Sequence, residues 1–232
     1  MVESTMITCG SLFAGIGGFE LGAQWAFEDA GIPHKVLFQV EQNKFCQKVL
    51  KKHWPEAQIF DDVCAVGRHN LPDVDILMGG FPCQDISSCG HQKGIINGKK
   101  SSLWFEMLRI IGELRPRIAV LENVPAILRV GGPTVVGGLA EIGYDAEWQI
   151  ISAAQFGAPH LRKRWFCVAT DTNRDGKPII AINAKASGLS SVAGHEAANT
   201  DGGRYATHTK QALTKERQIS PSECSAGSDR RS

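Results

Sequence analysis

The sequence predicts an α/β protein built on a doubly wound, mostly parallel sheet. Two observations carry this reading. Short apolar runs of strand length alternate with stretches of helical apolar spacing over about the first 170 residues, which is the pattern of βα units whose helices cover both faces of a sheet. Residues with chemical capability stand just past the ends of those runs, where open α/β folds place their ligand sites. The chain has 232 residues, enough for one sizeable core or for one domain plus an extension.

The elements follow in order. Met6 to Phe13 reads as a buried strand, and Ala14-Gly15-Ile16-Gly17-Gly18 as a tight glycine turn. Phe19 to Ala30 has helical apolar spacing and stops at Gly31-Ile32-Pro33. Lys35 to Val40 is a second strand, ended by Glu41, and a helix follows from about Asn43 to His53. Gln58 to Phe60 and Val74 to Met78 are the third and fourth strands. Ser101-Ser102 caps a helix that reaches about Leu114 and is ended by Arg115-Pro116. Arg117 to Leu121 is the fifth strand, and Pro133 to Ile142 a helix closed by Gly143. Ala146 to Ala153 and Arg164 to Ala169 are two more strands. No full helix separates them, so one antiparallel strand is expected near the C-terminal end. Residues 1–170 are thus expected to form one domain. Residues 171–232 are polar, with little apolar periodicity outside Pro178 to Ile182. They are expected to be a poorly ordered tail or an incomplete second region.

Composition narrows the function classes. A net charge of +1 gives no overall field toward nucleic acid or membrane, so local clusters must carry any such role. No apolar run approaches the roughly 18 residues of a membrane span, and no signal peptide is expected. The seven cysteines are scattered without a Cys-x-x-Cys pair. That fits free thiols in a cytoplasmic setting and predicts no metal site. Cys9 and Cys167 lie inside apolar runs and read as core residues.

Six groups of residues carry chemistry. The glycine turn after the first strand lets a ligand approach the backbone at a helix N-terminus. It departs from the dinucleotide fingerprint, because Glu20 stands where the third glycine belongs. Glu41 is placed to accept from ribose hydroxyls, or else caps the next helix. Asp61-Asp62-Val63 follows the third strand and has the reach for an adenine amino group, or is a turn acid. Gly79-Gly80-Phe81-Pro82-Cys83-Gln84 puts a thiol at a strand end. The polar, basic loop to Lys100 that follows, with Ser87, is suited to close over a substrate. Glu122-Asn123-Val124 ends the fifth strand with an acid that is costly to bury unpaired. Arg162 and Arg164 alternate, so in an extended segment both point to one side. That arrangement suits a phosphate or a base carbonyl.

Together these motifs resemble the DNA (cytosine-5) methyltransferase family over about residues 6 to 170. Leu12-Phe13-Ala14-Gly15-Ile16-Gly17-Gly18 is similar to its cofactor loop, and Gly80-Phe81-Pro82-Cys83-Gln84 to its nucleophile motif. Ser102-Leu103-Trp104-Phe105 resembles the segment after the catalytic loop. Glu122-Asn123-Val124 resembles the acid motif, and Pro159-His160-x-Arg162-x-Arg164 the basic motif. Ser11 stands where the family usually has aspartate, and His160 where glutamine is common. The target-recognition region and the final motifs of the family are not recognisable in 171–232.

The resemblance implies a Rossmann-like, S-adenosylmethionine-dependent fold and methyl transfer to C5 of cytosine in double-stranded DNA. It implies Cys83, Glu122, Arg162 and Arg164 as catalytic residues. It places Phe13, Ala14, Gly15, Ile16, Gly17, Gly18, Glu41, Asp62, Val63 and Pro82 at the cofactor. Gln84, Ser87 and Asn123 fall at the DNA or the flipped base. Cys83 attacks C6, Glu122 acts at N3, and Arg164 supports the thiolate and base O2. The alternatives are a cofactor-binding remnant that needs a second polypeptide for DNA recognition, an RNA cytosine-5 methyltransferase, and a nicotinamide enzyme disfavoured by the glycine pattern.

Overall fold

The computed structural model describes residues 6–82 and 102–173. These residues form a seven-stranded sheet in the order β3-β2-β1-β4-β5-β7-β6. The strands are β1 (Ile7–Leu12), β2 (His34–Val40), β3 (Gln58–Phe60), β4 (Ile76–Gly79), β5 (Ile118–Asn123), β6 (Tyr144–Ser152) and β7 (Lys163–Asp171). Every pairing from β3 to β5 is parallel, and β7 runs antiparallel to both β5 and β6. The single reversed strand expected near the C-terminal end is therefore β7. The helices are α1 (Gly18–Asp29), α2 (Lys44–His53), α3 (Ser102–Leu114), α4 (Ile127–Val130) and α5 (Gly132–Glu141).

Local chemistry explains where the elements start. Gly17 has φ 91°, a left-handed conformation that releases the chain into α1. A Cβ there would also lie 2.3 Å from the Trp54 ring. Asn43 caps α2 by accepting from the backbone N–H groups of Phe45 (2.9 Å) and Cys46 (3.2 Å). Lys51, Lys52 and His53 occupy its last turn, where cations complement the helix dipole.

The two faces of the sheet are covered unequally. On one face the larger core joins Leu12, Phe38, Leu77 and Leu121 to Trp104, Met107, Ile110 and Ile111 of α3 and Val135 and Leu139 of α5. Trp165, Cys167 and Ala169 of β7 point into it, all fully buried. Each such large side chain contributes about 1.5–3 kcal/mol of burial. On the other face a smaller cluster of Ile7, Cys9, Val36, Ile76 and Met78 packs against Phe27 of α1. Arg109 on α3 reaches the Val66 carbonyl (2.9 Å), and Glu106 (2.7 Å) and Glu113 (2.8 Å) hold it in place. The bond from Arg109 in turn keeps the Glu113 carboxyl below its usual range.

Three boundaries differ from expectation in ways that matter below. β4 starts at Ile76 and includes Gly79, whose neighbours are Leu12 of β1 and Leu121 of β5. β5 continues through Glu122 and Asn123, because β7 supplies Phe166 and Trp165 as cross-strand partners. The turns at Val63–Ala65 and Ala153–Phe156 and the four-residue α4 are too short to show a hydrophobic period. No helix among the described residues is long and apolar enough to cross a membrane.

Burial makes two thiols inert. It pushes both Cys9 and Cys167 up to about 12, with the Asp75 and Glu20 carboxylates adding to the effect at Cys9. The thiolate is the reactive form, so neither residue reacts while the protein is folded at pH 8. Peptide mapping after native alkylation should show Cys46 modified and Cys9 and Cys167 protected until denaturant is added. A second prediction concerns Gly17. Gly17→Ala should destabilise the fold by about 1–3 kcal/mol, the cost of a left-handed non-glycine residue, as read from denaturant unfolding.

Candidate functional site

The carboxyl ends of β1, β2 and β4 surround a cleft of about 270 Å³. It opens between β1 and β4, where the strand order reverses and open α/β folds bind ligands. Phe13, Val63 and Leu103 supply apolar walls, Glu41 and Asp62 supply carboxylates, and Gly80 and Pro82 close one side. Of the residues expected at the cofactor, Phe13, Glu41, Asp62, Val63 and Pro82 meet here.

The glycine turn takes a different part. Ala14, Ile16, Gly17 and Gly18 do not line this cleft, and Ile16 is exposed. Gly15 is tied to it, since its backbone N–H donates to Glu41 Oε2 at 2.8 Å. Glu41 Oε1 accepts from the Asn43 N–H at 2.7 Å. One carboxylate thus fixes the glycine turn and the start of α2. Asp62 Oδ1 accepts from the Cys64 N–H at 2.8 Å and caps the short turn after β3. The sequence leaves Glu41 as a ligand or a helix cap and Asp62 as a ligand or a turn acid. Glu41 and Asp62 make the capping bonds and also face the cleft. Carboxylate oxygens keep further lone pairs when they accept one backbone bond. Acceptors on one wall and flat apolar surfaces on the others fit a nucleoside, with hydroxyls and an amino group on the acids and a ring against Phe13, Val63 and Leu103. Leu103, Gln42 and Asp61 also line the cleft. Asp61 belongs to the Asp61-Asp62-Val63 motif and Leu103 to Ser102-Leu103-Trp104-Phe105, so only Gln42 is identified by proximity in the fold alone.

Next to this cleft lies an ion pair. Arg164 Nε donates to Glu122 Oε1 at 2.7 Å, with both side chains about a quarter exposed. Glu122 therefore has the partner that its position after an apolar run demands. Gly80 sits against the same carboxylate, since a Cβ at Gly80 would lie 2.8 Å from Glu122 Oε2. Arg162 and Arg164 line one concavity of about 390 Å³ with Ile151, Phe156 and Phe166. They do face one side, but not by strand alternation. β7 begins at Lys163, and Arg162 stands before it with φ 28°.

Asn123 is the residue that moves furthest from expectation. In place of a residue presented to DNA, the structure has a buried side chain, 3% exposed. Its Nδ2 donates to the Phe81 carbonyl at 3.1 Å, and its Oδ1 accepts from the Val124 N–H at 2.8 Å. Cys83, Gln84 and Ser87 lie outside the described residues, and Pro82 is the last described residue before them. His160 is exposed. No group of three or more possible metal ligands occurs among the described residues.

A further polar cluster lies under the glycine turn. Glu20 is fully buried and accepts from Ser11 Oγ (2.5 Å) and Gln39 Nε2 (2.8 Å). It joins β1, β2 and α1 where a dinucleotide-binding turn would carry glycine.

Comparison with known proteins follows the same lines. The family model for C-5 cytosine-specific DNA methylase matches residues 7–222. The match continues beyond residue 170, where the recognisable motifs stop. The type II methyltransferase M.CviJI of Paramecium bursaria Chlorella virus IL3A is 36% identical over 178 residues, covering 75% of this chain and 46% of that protein. M.HhaI of Haemophilus parahaemolyticus is 33% identical over 168 residues, covering 70% and 49%. The chain therefore spans about half the length of the curated relatives it matches. Among solved structures, a DNA modification methyltransferase encoded within an E. coli prophage superimposes with a TM-score of 0.57 at 25% identity, over 71% of this chain and 47% of that one. S. pombe Dnmt2 gives 0.59 at 19% identity, over 75% and 52%, a likeness of fold.

The two bonds to Glu41 yield a prediction that needs no ligand. Glu41→Ala removes both acceptors and should cost about 1–3 kcal/mol of stability. Backbone amide exchange at Gly15 and Asn43 should rise with it. Unchanged protection at Gly15 would show that the turn does not depend on this carboxylate.

Proposed function

The chain belongs to the C-5 cytosine-specific DNA methylase family, and on that premise we propose that it transfers a methyl group from S-adenosylmethionine to C5 of cytosine in DNA. The observation that carries the reading is the placement of the Glu122–Arg164 pair against Gly80, beside a cleft fit for a nucleoside. Glu41 would hold the ribose hydroxyls and Asp62 the adenine amino group, with Phe13, Val63, Leu103 and Pro82 enclosing the ring. When bound, S-adenosylmethionine supplies an electrophilic methyl group on a sulfonium centre.

The reaction needs help because C5 of cytosine is a poor nucleophile. The Cys83 thiolate attacks C6, and the displaced electron pair makes C5 nucleophilic. Glu122 would hold a proton against N3 and so stabilise charge that the attack pushes onto the ring. Its Arg164 partner holds the carboxyl and would offer a guanidinium to the base carbonyl. Once C5 carries the methyl group, loss of the C5 proton expels the Cys83 thiolate and restores the aromatic ring. The cytosine must leave the duplex to reach these groups. Arg162, exposed at the rim of the neighbouring concavity, is suited to a backbone phosphate.

The test is methyl incorporation into unmethylated double-stranded DNA from labelled S-adenosylmethionine, followed by nucleoside analysis. The expected product is 5-methylcytosine. Cys83→Ala should abolish it. Glu122→Gln should lower turnover about 10²–10⁴-fold, the usual range for a positioned acid, while S-adenosylhomocysteine still binds. Turnover by the Cys83→Ala protein would overturn the mechanism, and methylation of RNA alone would overturn the substrate.

A further inference from the structure

We propose that Arg109 is a positioning residue for the cofactor: from α3 it holds the turn that presents Asp62 and Val63 to the base. The inference rests on the reading of the cleft as an S-adenosylmethionine site. Arg109 does not line that cleft. Its Nη2 donates to two backbone carbonyls, Val66 at 2.9 Å and Val63 at 3.3 Å. These lie at the two ends of the turn Val63–Ala65, which Asp62 caps. The guanidinium thus grips the residue next to the Asp62 carboxylate.

A turn of three residues cannot pair its own last carbonyls, so donors must come from outside. Arg109 is fixed in that task by two acids of its own helix. Nε and Nη2 donate to Glu106 Oε2 at 2.9 and 2.7 Å, and Nη1 donates to Glu113 Oε1 at 2.8 Å. Glu113 Oε2 also accepts from the Arg68 N–H at 3.0 Å. Gly67 lets the chain come this close, since a Cβ there would lie 2.4 Å from Glu113 Oε2. Lysine cannot replace the planar fork, because a point charge does not reach two acids and two carbonyls at once.

The same helix carries Leu103, which lines the cleft with Val63. Arg109 therefore sets the distance between the Leu103 wall and the Asp62–Val63 wall. A site that hydrogen-bonds a ligand amino group rejects an analogue without it. A displaced Asp62 loses that discrimination before it loses the rest of the ligand.

The experiment compares the wild-type chain with Arg109→Lys and with Glu106→Gln, which loosens the guanidinium without removing it. Calorimetry gives the affinities for S-adenosylhomocysteine and for S-inosylhomocysteine, which has an oxo group in place of the amino group. Affinities are taken per binding site, so unfolded protein does not count, and the thermal midpoint is read alongside. In Arg109→Lys the affinity for S-adenosylhomocysteine should fall about 10-fold, the effect of one misaligned charge-assisted hydrogen bond. The affinity for S-inosylhomocysteine should change little, so the preference for the amino group shrinks. Glu106→Gln should shift the preference the same way by less. The KM for S-adenosylmethionine should rise more than kcat falls.

An unchanged preference in both variants overturns the inference. So does an equal loss of both ligands alongside a lower thermal midpoint, which marks a structural role alone. A wild-type protein that binds S-adenosylhomocysteine without preferring it to the inosine analogue overturns the role given to the turn and leaves the cofactor reading standing. A wild-type protein that binds neither ligand overturns the cofactor reading itself, and this inference with it.

Discussion

The close approach of β4 to its two neighbours at Gly79 and Gly80 is the constraint on which the carboxyl edge of the sheet depends. A Cβ at Gly79 would lie 2.8 Å from both the Leu12 carbonyl oxygen and the Met107 Cε. A backbone oxygen in a paired strand cannot yield as a flexible side chain can. The residue must therefore be glycine if β1 and β4 are to stay in register at this point. One residue on, the missing Cβ of Gly80 makes room for the Glu122 carboxylate. Without that room Glu122 would have to leave either Gly80 or Arg164. The two glycines thus bring three strand ends together, and with them an acid, a guanidinium and the approach to Cys83.

The cofactor side of the same edge is held by charge-assisted bonds to the backbone. Glu41 takes one N–H from the glycine turn and one from the start of α2. Such charge-assisted bonds are stronger than neutral ones. Below the turn, the buried Glu20 collects Ser11 and Gln39. The consequence is a cleft whose shape exists before any ligand enters. A site shaped in advance loses less ordering entropy on binding.

Most of this architecture was legible because it rests on local signals. Alternation of apolar runs with helical spacing gave the strand and helix order, and the absence of a full helix before β7 gave the one reversed strand. Glu122, Arg164, Glu41 and Asp62 could be picked out because acids or cations at strand ends are costly without a purpose. The unread part is non-local. Leu103 reaches the cleft only through the packing of α3. Arg162 shares a concavity with Arg164 through a left-handed backbone, which alternation cannot foresee. The family resemblance alone places Asn123 at the DNA or the flipped base, and the structure has its side chain buried. It is buried because β7 extends β5 by two residues, a pairing invisible in the sequence of β5 alone. The missing third glycine argued against a dinucleotide. The structure gives that gap a content of its own in the Ser11–Glu20–Gln39 cluster.

One segment serves both halves of the site. Gly80 and Pro82 line the nucleoside-sized cleft. Gly80 also abuts Glu122, and the Phe81 carbonyl between them is bonded to Asn123. The wall that a cofactor would press against is therefore the stretch of chain that leads into the proposed nucleophile. Phe81 cannot follow a shift of that wall freely, because its ring is wedged against Trp104 in the larger core. In the proposed reaction the methyl donor and the thiol must approach one pyrimidine ring from fixed directions. A short, rigid segment shared by both sites relates those directions through three residues instead of through two independent loops.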